Sequence, residues 1–142
     1  MKIHYRISNK KWYGDIKKIL LGFERIFPNK EVGIDFTDSQ SIREVNKRFR
    51  NKDSSTDIVS VEISIDDYLG DIYLSRNDVA EKMPIGLNFI EYNRFLIIHG
   101  ILHLMGYDHE TDEDAAIMKA EEIKLAEYLN VPNPYLIGDF ND

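Results

Sequence analysis

The chain has 142 residues, 43% hydrophobic and 30% charged, which is enough for one packed core and excludes a chain disordered throughout. It contains no cysteine, so disulfides and thiolate metal ligands are excluded and any metal must be held by nitrogen and oxygen donors. The net charge of −7 argues against a phosphate-rich partner only at first sight: residues 108–142 carry ten acidic side chains against two lysines, leaving 16 basic and 15 acidic residues before them.

The opening KIHYRI (2–7) alternates Ile3, Tyr5 and Ile7 with polar residues and reads as a half-buried strand. Trp12, Ile16, Ile19, Leu20, Phe23 and Phe27 then recur at helical spacing until Pro28-Asn29, which predicts a helix. EVGIDF (31–36) alternates again, and TDSQS supplies N-cap candidates for a second helix with Ile42, Val45 and Phe49 as its apolar face. After the polar loop RNKDSST (50–56), DIVSVEISI (57–65) and LGDIYLS (69–75) flank Asp66-Asp67, the pattern of a hairpin.

From Phe89 to Met105 the chain is apolar nearly all round and predicts a core helix. Thr111 to Asp114 resembles a capping box for a last helix with Ala115, Met118, Leu125 and Leu129 inward, stopped by NVPNP. Residues 131–142 read as a loose tail of a single domain spanning 1–142. The N-terminal stretch lacks the apolar block of a secretory signal, and nothing approaches the roughly 20 apolar residues of a membrane span, so the expectation is a cytoplasmic protein with no membrane partner.

The chemistry concentrates in HGILHLMGYDH, His99 to His109. Four residues of α-helix advance roughly 6 Å and turn about 400°, so His99 and His103 share one face. On a continuing helix His109 would lie roughly 9 Å further along, too far to share an ion whose bonds are about 2.0–2.1 Å. Gly106 is the residue at which the chain can turn back, because glycine takes the left-handed conformation that ends helices. The spacing therefore predicts a three-histidine site for one divalent ion, Zn²⁺ by preference, with Ni²⁺, Co²⁺ or Cu²⁺ also compatible with imidazole donors.

Zinc peptidases of the metzincin type carry a glutamate general base where this chain has Gly100. The usual route of peptide hydrolysis is thus disfavoured unless another carboxylate moves in, with Asp71 and Asp108 as the nearest candidates. Two explanations of Gly100 are open: removal of a charge that would repel a phosphodiester, or close packing of the helix against a neighbour.

HGILHLMGYDH, preceded by NKRFRNKDSSTDIVS (46–60) and LGDI (69–72), resembles the YbeY-type endoribonucleases, bacterial rRNA maturation factors, in order and spacing and over nearly the whole chain. The resemblance implies a metal-dependent endoribonuclease that prefers single-stranded RNA, trims the 3′ end of small-subunit ribosomal RNA and acts on ribosomal particles in quality control. It implies His99, His103 and His109 as metal ligands and Arg50 as a functional arginine. TDIVS is followed here by Val61-Glu62, whereas the family usually continues Phe-Pro.

Independently, Arg43, Lys47 and Arg50 fall at i, i+4 and i+7, and with Arg48 and Lys52 they form the densest basic cluster, a candidate RNA-binding surface. Arg50 sits where helix gives way to loop and carries a fork that matches phosphate. The alternatives are a zincin-type metallo-hydrolase acting on peptides or amides, and a non-catalytic, metal-stabilised module that docks on ribosomes. The expected fold is α+β: a small mixed sheet of about four strands packed with helices, the histidine helix central and zincin-like.

Overall fold

Four strands, β1 (Lys2–Ile7), β2 (Glu31–Thr37), β3 (Ile58–Ile65) and β4 (Tyr68–Ser75), form one sheet in the order β1-β2-β4-β3 in the computed structural model, which describes residues 1–137. β1 and β4 both run parallel to β2, whereas β3 returns antiparallel to β4 through the expected hairpin. The sheet is therefore mixed, as the alternating segments predict, with β1 and β3 at its edges.

Strand alternation gives the sheet two distinct faces. Val32, Ile34, Phe36, Ile72 and Leu74 are buried on one side in the main apolar core. That core is completed by α4 (Phe89–Leu104), which presents buried side chains all round, including Phe95, Leu96, Ile97, Ile98, Ile101 and Leu102. Each such side chain contributes roughly 1.5–3 kcal/mol on burial, so this helix is a principal source of stability. Asn88 and Glu91 form a capping box at its start. On its outer side α5 (Asp112–Tyr128), capped by Thr111, packs through Met118, Glu122 and Ala126.

The opposite face is partly covered by α2 (Ser39–Arg50), whose Ile42 is fully buried, as is Val59 of β3, outside the main core. Phe49, expected on the buried face, is half exposed; Asn46 takes the inward position and donates to the Ser54 carbonyl. The β2 residues on this face are polar, and a buried Thr37 backbone carbonyl accepts from the Trp12 indole.

Two further expectations are corrected. The apolar run from Trp12 to Phe27 is broken into a 3₁₀ turn at Lys10–Trp12, a short α1 (Ile16–Leu20) and a second 3₁₀ turn at Phe23–Arg25. Gly22, at φ +87°, sits where the helix ends, so apolar spacing survives while the backbone changes direction. Burial of Trp12, Ile16, Ile19 and Phe23 satisfies the same pattern with short pieces. The segment after Asn130 is not loose where it is described: Val131 is buried, α6 (Pro134–Ile137) follows, and the Tyr135 ring meets Phe95 edge-on at 5.9 Å. The rest of that segment, 138–142, lies outside the described residues. An additional helix, α3 (Arg76–Lys82), follows β4, where no element was expected.

Candidate metal centre

α4 carries His99 and His103 on one face, with ring centroids 4.5 Å apart. The helix then ends in a Schellman turn: Tyr107 N–H donates to the Leu102 carbonyl and Gly106 N–H to the His103 carbonyl, each at 3.0 Å, with Gly106 at φ +99°. This reversal brings the His109 ring to 5.1 Å from His103 and 6.0 Å from His99, centroid to centroid. One ligating atom from each of the three lies within 4.8 Å of the others, so the group can hold a metal ion.

The nitrogens that face one another are identified by what their opposite sides touch. His103 Nδ1 lies 3.0 Å from the Tyr107 carbonyl, which can only accept, so Nδ1 carries a proton and in the neutral ring Nε2 carries the lone pair. His99 Nδ1 lies 3.0 Å from Glu122 Oε2. The two Nε2 atoms face each other at 3.0 Å. Imidazoles whose Nδ1 atoms face backbone and carboxylate acceptors would present their Nε2 atoms as donors to a divalent transition ion.

The three histidines open into a cavity of about 440 Å³ shared with Arg50, Thr56, Asp57, Ser60, Glu62 and Tyr92. Arg50, the last residue of α2, is among the residues that line the histidine cleft. Asp57 is held in place: Tyr92 Oη donates to one oxygen at 2.8 Å, and the Ile58 N–H donates to the other at 2.9 Å. Glu62 is exposed and accepts from the Ser64 hydroxyl at 3.1 Å.

The two carboxylates nominated from sequence do not line this cavity. Asp71 belongs to the opposite face of the sheet, because its neighbours Gly70 and Ile72 point toward α4, and it accepts a short hydrogen bond from Tyr68. That contact, after burial, drives the Tyr68 hydroxyl well above its ordinary value. Asp108 lies in the turn before α5 and accepts from the Glu110 N–H. The carboxylates at the site are instead Asp57 and Glu62. Glu62 was legible in the segment DIVSVE, where residues 58, 60 and 62 alternate onto one side; Asp57, just before the strand, does not follow from that alternation.

The basic cluster also divides. Arg43, Lys47, Arg48 and Lys52 are exposed and do not line the histidine cavity. Arg43 is engaged by Asp53 at 2.8 Å, an exposed pair that raises the guanidinium and holds the carboxyl below its usual range. Arg48 lies against Phe49 and borders a separate cavity with Arg6, Asp35 and Tyr73. Gly100 faces the sheet: a Cβ there would come within 3.0 Å of Ile72 Cδ1 and Ser60 Oγ and 3.1 Å of Ile58 Cδ1. Close packing against Ile72, Ser60 and Ile58 is one account of the glycine, and because Ser60 and Ile58 also line the histidine cavity, a side chain at this position would border the site as well.

The sequence model of the family described as Endoribonuclease YbeY matches residues 2–130. Among curated relatives, the protein named "Endoribonuclease YbeY" from Francisella tularensis subsp. novicida (strain U112) is 36% identical over 118 residues, covering 75% of this chain and 72% of that protein. The protein of the same name from subsp. holarctica (strain FTNF002-00 / FTA) is 34% identical over 119 residues, with the same coverage. A solution structure of TM1509 from Thermotoga maritima superposes over 99% of both chains with a TM-score of 0.53 and 23% sequence identity, which supports the fold. No helix among the described residues is long and apolar enough to cross a membrane.

Proposed function

This chain belongs to the YbeY endoribonuclease family, and from that premise we propose that it is a metal-dependent endoribonuclease acting on single-stranded RNA in ribosomal RNA maturation, with the 3′ end of small-subunit rRNA as target. The observation that carries the reading is the convergence of His99, His103, His109 and Arg50 on one cavity. A guanidinium beside a cation-binding cluster suits a phosphodiester, whose non-bridging oxygens match its planar fork.

In this reading the histidines hold one divalent ion, Zn²⁺ by preference for three imidazoles and an open position. When bound, the ion supplies Lewis-acid charge for a phosphoryl oxygen. Arg50 binds the phosphate and stabilises charge developing on it. Asp57, anchored by Tyr92 and the Ile58 N–H, and the freer Glu62 are the carboxylates placed to orient a ribose hydroxyl or accept a proton. The exposed Arg43, Lys47, Arg48 and Lys52 contribute a basic approach to the site for RNA or a ribosomal particle, outside the cavity itself.

The test is cleavage of end-labelled RNA spanning the 3′ end of precursor small-subunit rRNA by the wild type and by an identically purified His103→Ala variant. Cutting by wild type alone supports the reading, and equal cutting by both overturns it. A 5′-phosphate and 3′-hydroxyl would eliminate attack by the substrate's own 2′-hydroxyl.

A further inference from the structure

Glu122 is fully buried, although it lies in the most acidic part of the chain, where a charged side chain has solvent available on every other helix face. Taking a carboxylate out of water is costly, and an apolar side chain at this place between α5 and α4 would not carry that cost. Packing alone therefore does not explain the residue. Its two oxygens are both used: Oε2 lies 3.0 Å from His99 Nδ1, and Oε1 accepts from Tyr135 Oη at 3.0 Å. Tyr135 is itself held by the edge of Phe95 and by the Lys119 ammonium, 4.5 Å from its ring centroid.

We propose that Glu122 and Tyr135 are positioning residues for the metal centre, forming a relay in which Tyr135 orients the Glu122 carboxylate and Glu122 holds His99 with its Nε2 presented to the cavity. The inference rests on the reading of the three histidines as metal ligands. A buried carboxylate behind a ligating imidazole fixes the ring's orientation and tautomer and strengthens its donor nitrogen. His103 obtains the same orientation from the Tyr107 carbonyl, a neutral acceptor built into the helix end. His99, in mid-helix, takes its acceptor from α5 through the Glu122 carboxylate.

A consequence follows for the chain beyond residue 130, where the family match ends. Tyr135 connects α6 to a ligand of the site through one intervening carboxylate, so the docked C-terminal segment is part of the apparatus that sets metal affinity.

The experiment is Zn²⁺ binding to the full chain by competition with a chromogenic chelator, for wild type, Glu122→Gln, Tyr135→Phe, the double variant and His103→Ala, with urea unfolding of each metal-free protein alongside. Glu122→Gln keeps the shape and an acceptor for His99 while removing the charge, and is expected to weaken Zn²⁺ binding about 10–100-fold. Tyr135→Phe is expected to weaken it several-fold, and the double variant no further than Glu122→Gln. In metal-free wild type, nitrogen NMR should show His99 as the Nδ1-protonated tautomer, and the Glu122→Gln spectrum should show a mixture. Unchanged Zn²⁺ affinity in both folded single variants, with only their urea midpoints lowered, would overturn the relay and leave the metal reading intact. If Glu122→Gln fails to fold, Tyr135→Phe decides by the same criterion. Wild-type binding no tighter than that of His103→Ala would instead overturn the metal reading and the relay with it.

Discussion

His103 Nδ1 and the Tyr107 carbonyl oxygen are 3.0 Å apart, which makes the turn that ends α4 also the device that orients a candidate ligand. The turn depends on Gly106 at φ +99°. Gly106→Ala has open space for its methyl group, so its penalty is conformational alone, about 1–2 kcal/mol for an L-residue held left-handed. We expect a lower urea midpoint with an unchanged m-value, together with weaker Zn²⁺ binding, because Tyr107 and His109 follow directly. Full metal affinity at reduced stability would separate the turn from the site.

Arg50 is the only member of the basic cluster among the residues lining the histidine cavity. Arg50→Ala should lower the rate of RNA cleavage by about 10²–10³-fold, the magnitude of losing one charge-stabilising donor, with Zn²⁺ affinity unchanged. Arg50→Lys should recover little of it, since an ammonium lacks the planar fork. Single-turnover cleavage at saturating protein checks both, and wild-type rates in Arg50→Ala would remove the residue from the chemistry.

At Gly100 two effects oppose each other. Alanine would gain about 0.5–1 kcal/mol in the helix, yet its methyl group must displace the ends of Ile72, Ile58 and Ser60, and overpacking costs typically 1–3 kcal/mol. Because Ile72 has no exposed surface into which to move, the expected net effect of Gly100→Ala is a loss of about 1 kcal/mol in urea unfolding. Ile58 and Ser60 also line the cleft, so cleavage should fall as well. A stabilised variant would show that the sheet yields at this point.

The Asp78 carboxylate, buried at the start of α3, accepts from Ser39, Ser55 and Ser75. Burial pushes its carboxyl up, but the three hydroxyls outweigh this and hold it below its ordinary value. With the folded pKa depressed, its stabilisation is complete above the unfolded value of about 3.9 and is lost as pH falls through the lower folded value. Asp78→Asn should therefore cost about 1–3 kcal/mol at pH 7, and the gap to wild type should close below about pH 4. Urea midpoints across pH 2.5–7 measure it; a gap that widens in acid would contradict the assignment.

The histidine site was legible in the sequence because its determinants are local. A four-residue interval on an apolar helix sets two rings on one face, and a glycine two residues beyond the helix permits the return that delivers the third. The strands and their hairpin were legible for the same reason: a period of two is a local property. Some errors came from signals that were present but unread. Alternation in LGDIYLS puts Asp71 opposite Ile72, and Glu122 shares a helix face with Met118 and Ala126, four residues to either side.

Other features were decided only by tertiary structure. Apolar spacing from Trp12 to Phe27 cannot distinguish one helix from three short pieces, since either buries the same side chains. Nothing in the interval between positions 50 and 99 announces that Arg50 and His99 share a cavity, or that Tyr135 reaches Glu122. Contacts at such separations depend on how the sheet is ordered and how the helices pack on it, and that is settled by burial summed over the whole core, not by any single segment.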